Sequence, residues 1–142
     1  MEEETYVYTH KAQYYETDQM GIIHHSNYIR WFEEARIDWM ASIGMDYTQM
    51  EQEGIISPVL AVNCEYKSMV RFGETVVIVP RIKLYNGVKL EIEYTITDQM
   101  SGQLRVKGET RHCFLTKEQK PLSLKRSYPI WDEVLRDRLQ LG

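Results

Sequence analysis

The run Asn86-Gly87-Val88-Lys89-Leu90-Glu91-Ile92-Glu93-Tyr94-Thr95-Ile96-Thr97 decides the architecture of this chain. Val88, Leu90, Ile92, Tyr94 and Ile96 alternate with Lys89, Glu91, Glu93, Thr95 and Thr97, the period of two that gives a strand one apolar face. Asn86-Gly87 ahead of it predicts a tight hairpin, because both central residues of such a turn need positive φ. On the N-terminal side, Val76, Ile78, Ile82 and Leu84 line one face of another strand. Pro80 interrupts that run and predicts an edge position or a bulge. On the C-terminal side, Asp98 to Gly102 reads as a looser reversal and Leu104 to Leu115 as a last long strand. Upstream, Leu60, Val62, Cys64 and Tyr66 alternate with Ala61, Asn63, Glu65 and Lys67.

Toward the N-terminus the period changes. Tyr28, Phe32, Ala35, Trp39 and Ile43 recur every three or four positions and form one stripe of a long helix. Ser26 or Asn27 can cap its start, and Gly44 sits where a helix end favours a left-handed residue. Residues from about Thr5 to Tyr15 read as a first strand, with Tyr6, Tyr8, His10, Ala12 and Tyr14 on one face. A short helical piece is expected over about Asp46 to Gln52, before Gly54. A closing helix over Pro129 to Leu141 offers Ile130, Trp131, Val134, Leu135 and Leu139 for packing. The order is strand, long helix, then a meander of four strands, in a single domain over residues 1–142. One helix covering one face of an antiparallel sheet gives the α+β class. A single helix leaves sheet edges unsatisfied, so pairing with a second copy is expected.

The bulk properties exclude several roles. The 142 residues carry a net charge of −4, with 43% hydrophobic and 27% charged residues, a soluble globular balance without the basic surplus of a nucleic-acid binder. No apolar run is long enough to span a bilayer, so no membrane association is expected. Glu2, Glu3 and Glu4 open the chain, unlike the basic start of a signal peptide, and a cytoplasmic protein is expected. Cys64 and Cys113 lie in strand-like runs and read as reduced core thiols.

Chemistry concentrates in Asp18-Gln19-Met20-Gly21-Ile22-Ile23-His24-His25-Ser26-Asn27-Tyr28, which joins a strand to the start of the long helix. A carboxylate precedes a glycine that lets the backbone fold close. The helix then begins with N–H groups that favour negative charge on a nearby oxygen. Acyl transfer needs such a pair: one group attacks or activates water, and another holds the tetrahedral oxyanion. The plain alternative for Asp18 and Gly21 is a type I turn. His24 and His25 are adjacent and point apart, and no His-x-x-x-His or Cys-x-x-Cys spacing occurs, so neither a metal site nor a cofactor is expected. No Gly-x-Ser-x-Gly elbow and no Gly-rich phosphate loop is present.

The string from Asp18 to Tyr28, followed by Arg30-Trp31-Phe32-Glu33 and Arg36, resembles the motif of hotdog-fold acyl-CoA thioesterases of the 4-hydroxybenzoyl-CoA thioesterase type. The similarity continues through Tyr66, Gly73 and Glu74, with Met69 where that family usually has proline. In length and element order it extends from about Thr5 to Lys117. The resemblance implies a hotdog fold, a long central helix wrapped by an antiparallel sheet of about five strands. It implies hydrolysis of an acyl-coenzyme A to a free acid and CoA, with Asp18 as nucleophile or general base. The backbone N–H of His25 would polarise the carbonyl, with its imidazole a secondary candidate, and Asn27 and Tyr28 would shape the site. Tyr28 also fits a plain core position at the top of the helix stripe.

On the substrate side we expect Gly21 and Ile22 in the loop, and Tyr14, Met20, Val59 and Leu60 around the acyl group. Lys67 and Arg71 are the preferred contacts for the phosphates of coenzyme A, from a set that includes Arg81, Lys83, Arg105, Lys107 and Arg111. For each cation the alternative is a solvated polar face. The seven methionines suit an adaptable pocket or plain gap-filling in the core. A homodimer or homotetramer with sites between subunits is implied. Competing functions are an acyl carrier protein thioesterase and a non-catalytic acyl-CoA-binding module. A hydratase on the same fold is disfavoured, since Ile23 stands where its histidine would be and no Asn-Pro occurs.

Overall fold

Helix α1 begins where the irregular segment after Asp18 ends, and the structure, a computed structural model that describes residues 6–141, gives it seventeen residues, Ser26–Ser42. The other elements are β1 (Tyr8–Lys11), a 3-10 turn (Tyr14–Glu16), α2 (Tyr47–Gln52), β2 (Val59–Tyr66), β3 (Thr75–Tyr85), β4 (Lys89–Asp98), β5 (Leu104–Cys113), α3 (Leu124–Ser127) and α4 (Pro129–Leu141). The five strands form one sheet in the order β1-β3-β4-β5-β2, the α+β arrangement expected. The described residues fall into two compact units: 6–39, Cys64–Pro80 and Tyr94–Gly108 form one; Met40–Asn63, Arg81–Glu93 and 109–141 form the other.

In the first unit the helix stripe is buried up to Trp39, while Ile43, expected to complete it, falls past the helix end and is half-buried. Tyr28, Phe32, Ala35 and Trp39 are all buried, and the Phe32 ring stacks on Tyr94 of β4 at 4.4 Å. β1 pairs antiparallel with β3, from Tyr8 opposite Ile78 to Lys11 opposite Thr75. β1 is shorter than its alternation predicts, and Thr5 lies outside the described residues. Beyond Lys11 the Gln13 N–H turns onto the Glu16 carboxylate, closing the 3-10 turn and leaving Tyr14 and Tyr15 exposed. Alternate β1-side residues face acids of α1: Tyr6 bonds Asp38, while Tyr8 and His10 both reach Glu34. Pro80 is buried, and β3 lies inside the sheet rather than at its edge. The proline stands two positions past the last β1 partner, where its missing N–H breaks no β1 pair among the described residues.

In the second unit α1 and α2 are each followed by a glycine at positive φ, Gly44 and Gly54. Gly44 takes φ of 93°, and the Met45 and Gly44 N–H groups bond the Met40 and Ala41 carbonyls, a Schellman ending. Asp46 caps α2 by accepting the Gln49 N–H at 3.1 Å. The β3–β4 hairpin departs from the expected pair of positive φ values: Gly87 takes φ of 95°, whereas Asn86 stays in the ordinary region. Its amide oxygen instead accepts the Val88 and Lys89 N–H groups, an Asx turn that does the same work. A Cβ at Gly87 would lie 3.3 Å from the Lys125 Cβ, because α3 and α4 pack over this turn. The Leu124 N–H bonds the Gly87 carbonyl, and Asp132 receives both the Tyr85 hydroxyl and Arg136. Of the residues offered by α4, Trp131 and Leu135 are buried and Ile130 is 77% exposed.

Candidate active site

The segment between β1 and α1 is a small hairpin. The Asp18 N–H bonds the Ile22 carbonyl at 2.9 Å, Thr17 pairs with Ile23, and the His24 N–H bonds the Glu16 carbonyl at 2.8 Å. Gly21 closes the turn with φ of 78° and donates to the Asp18 carbonyl at 3.1 Å. At the tip, Asp18 Oδ1 accepts the Met20 N–H at 2.8 Å, which orients a half-buried carboxylate. The turn reading of Asp18 and Gly21 therefore describes the backbone. It leaves the chemical reading open, since a carboxylate has two oxygens and several lone pairs.

The chain then enters α1 through its histidines. Neither Ser26 nor Asn27 is the cap that the sequence suggests. His24 takes that role: its Nδ1 accepts the Ser26 N–H at 3.2 Å and faces the Ser26 hydroxyl at 2.8 Å, and its carbonyl accepts the Asn27 N–H. Asn27 is buried, and its Nδ2 donates to the Glu16 carbonyl at 2.9 Å, pinning the helix start to the other limb of the hairpin. His25 is exposed and edge-on to Tyr66, and, contrary to the expectation that the two adjacent histidines point apart, its ring stacks on that of His24 at 4.2 Å. The Tyr66 hydroxyl donates to the His25 carbonyl at 3.4 Å. Burial and the neighbouring Cys64 thiol push that hydroxyl up to about 12, so it remains a donor. Tyr28 is 3% exposed, and its hydroxyl accepts the Val70 N–H at 3.3 Å.

Val70 ties in the other segment of interest. Its carbonyl accepts the Ile23 N–H at 2.8 Å, and Ile22 forms a bridge with Arg71. This brings exposed Arg71 beside the hairpin. Lys67, also exposed, lies 3.2 Å from Glu65. The 68–74 turn rests on Arg105, which is 8% exposed and bonds the Met69 carbonyl at 3.0 Å, Glu74 at 3.1 Å and Asp98 at 3.4 Å. Arg105 is thus committed to the fold, and its use as a phosphate contact is set aside. Lys83 and Arg111 are likewise paired, with Glu109 and with Glu91 and Glu109. Val59 and Leu60 belong to the second unit and are 46% and 59% exposed on β2. Exposed apolar side chains are dense in the first unit around this segment: Tyr14 and Phe72 meet edge-on at 5.7 Å, and Met20 and Met69 are 75% and 56% exposed. Cys64 and Cys113 are free and half-buried rather than core thiols.

The residue that sequence reasoning passed over is Glu16. Only 5% exposed, it accepts the Gln13 N–H at 2.8 Å and the Trp31 indole N–H at 2.7 Å and faces His10 Nε2 at 2.9 Å. Burial pushes its carboxyl up, but these bonds outweigh burial and hold it below the usual range. The available signal was the Gln13-x-x-Glu16 spacing, in which a third-position acid reaches back to the N–H ahead of it.

Comparison with known proteins bears on this geometry. A family model described as "Thioesterase-like superfamily" matches residues 13–138. The Bacillus subtilis protein "Putative acyl-CoA thioesterase YneP" is 38% identical over 122 residues, 85% of this chain and 88% of that protein. Among solved structures, a DHNA-CoA thioesterase from Staphylococcus aureus superposes with a TM-score of 0.90 at 34% identity, covering 95% of this chain and 91% of the other. A 1,4-dihydroxy-2-naphthoyl-CoA thioesterase from Synechocystis gives 0.85 at 18% identity over 94% and 97%, which speaks to the fold alone.

Proposed function

From the premise that the chain belongs to the thioesterase-like superfamily, we propose that it hydrolyses acyl-coenzyme A thioesters, with Asp18 as the reacting carboxylate. The observation that carries this reading is the hairpin running straight into α1. It holds an oriented carboxylate on the same short segment as a helix start, where N–H groups and the helix dipole favour an oxyanion. The names of the relatives support the reaction class. The 4-hydroxybenzoyl-CoA type rests on the motif alone.

In the general-base route Asp18 takes a proton from water, and the water oxygen adds to the thioester carbonyl. The oxyanion is stabilised at the helix start by the His25 N–H, the C–S bond breaks, and the proton returns to the thiolate of CoA. In the nucleophile route an Asp18 oxygen adds first and expels the thiolate, and water then hydrolyses the mixed anhydride. His25 contributes through its N–H, while its exposed imidazole and Tyr66 line the approach. Asn27 and Tyr28 shape the site from below, as anchors of the loop. Gly21 and Ile22 give the acyl group a close backbone approach, and Arg71, bridged to Ile22, with Lys67 supplies charge for the CoA phosphates. Val59 and Leu60 line the acyl side in the assembled oligomer, a homodimer or homotetramer formed through the open β2 edge.

Asp18→Asn tests the assignment. Turnover of a panel of acyl-CoAs, read as free thiol, should fall at least a hundredfold with the protein still folded. Near-wild-type turnover would refute it. A single turnover in oxygen-18 water separates the routes, since only the nucleophile route puts an unlabelled enzyme oxygen into the product acid. Wild-type binding without thiol release would assign a non-catalytic acyl-CoA module instead.

A further inference from the structure

The carboxylate of Glu16 is the most heavily engaged acid near the proposed site, yet no step of the reaction uses it. We propose that Glu16 is a positioning residue for turnover: it sets the register of the Asp18 hairpin against the start of α1. This inference rests on the thioesterase reading of Asp18.

Two sets of bonds meet in this one residue. Its side-chain oxygens receive the Gln13 N–H and the Trp31 indole N–H and face His10 Nε2, tying the exit of β1 to the second turn of α1. Its backbone carbonyl receives the His24 N–H and the Asn27 amide, tying the far limb of the hairpin to the first turn of the same helix. The His24 rung lies two residues from Asp18 on one limb and one residue from His25 on the other. A displaced Glu16 therefore moves the carboxylate and the helix-start N–H groups relative to each other. Turnover is steeply sensitive to such errors, about 10²-fold for an ångström of misplacement.

The chemistry requires a carboxylate. Gln13 N–H and the indole N–H donate to its two oxygens, and the imidazole nitrogen adds a third partner. Only a group with acceptors and no donor of its own receives all of these. A glutamine would turn an NH₂ group against at least one of them. A buried acid is also a costly way to obtain stability alone, since well-packed apolar groups do as well or better. Geometry is what a satisfied polar cluster adds.

The experiment compares Glu16→Gln, Trp31→Phe and Asp18→Asn with wild type, on the best substrate among acetyl-, hexanoyl-, palmitoyl- and benzoyl-CoA. Melting curves run in parallel. For Glu16→Gln we expect kcat to fall about ten- to a hundredfold with KM within twofold and a folded protein. Trp31→Phe removes a single donor and should lower kcat several-fold in the same pattern. Two results overturn the proposal while leaving the Asp18 assignment intact: kcat within twofold of wild type in both variants, or loss of fold in both, which would make Glu16 purely structural. Near-normal turnover by Asp18→Asn, or no thiol release by wild type, sinks the thioesterase reading and this inference with it.

Discussion

Strands β4 and β2 carry the same alternating pattern and meet opposite fates. Along β4, Leu90, Ile92, Tyr94 and Ile96 are 0–1% exposed while their neighbours are half-buried or exposed. Along β2, no residue is buried: Val59, Leu60, Val62 and Tyr66 are 40–59% exposed, and only Cys64 is half-covered. β4 lies between two strands, whereas β2 is the last strand of the sheet. Alternation thus states that one face wants to be buried without saying by what. For β4 the covering residues belong to the same chain. For β2 none of the described residues buries that face, and it is this row of apolar side chains that the proposed oligomer would cover.

The contrast can be tested from its strongest side downward. Ile92→Ala should cost about 3–4 kcal/mol, through lost transfer energy and the cavity left behind. The midpoint of urea unfolding measures it, and a cost below about 1 kcal/mol would mean that β4 is not the core strand described. Gly87→Ala puts a side chain at φ of 95°, 3.3 Å from the Lys125 Cβ. About 1–2 kcal/mol should be lost from the turn that sets the register of β4. Val62→Glu on β2 should stay within about 0.5 kcal/mol of wild type when unfolding is measured on the monomer. Its effect should appear in sedimentation, as a shift from oligomer to monomer. An unchanged oligomer would show that β2 is not the assembly edge.

Much of this was legible in the residues, for a definable reason. Patterns that repeat over many positions survived: the stripe from Tyr28 to Trp39, the strands after Leu60, and the alternation of β4. Features decided by a single side-chain contact did not. Tyr14 and Tyr15 looked like strand until the Glu16 carboxylate drew the chain into a 3-10 turn. Ser26 and Asn27 both looked like caps, but Asn27 is spent on the Glu16 carbonyl and His24 caps instead. Asn86 looked like the first half of a pair with positive φ, and its side chain supplied the turn another way. At the site, the Asp18-to-Tyr28 string is where the proposed chemistry lies. The Gln13-x-x-Glu16 spacing hints at the turn, but the Trp31 bond of Glu16 and the Met69 bond of Arg105 join residues fifteen or more positions apart and could not be read there.

Pro80 carries a consequence for how such a chain behaves in a crowd. Among the described residues the β1–β3 ladder ends at the Tyr8–Ile78 pair, and a buried proline stands two positions further along β3. Without an N–H there, a stray strand finds no continuous template on that side. A ladder interrupted in this way cannot be copied strand after strand, which works against the sheet growing into a fibre.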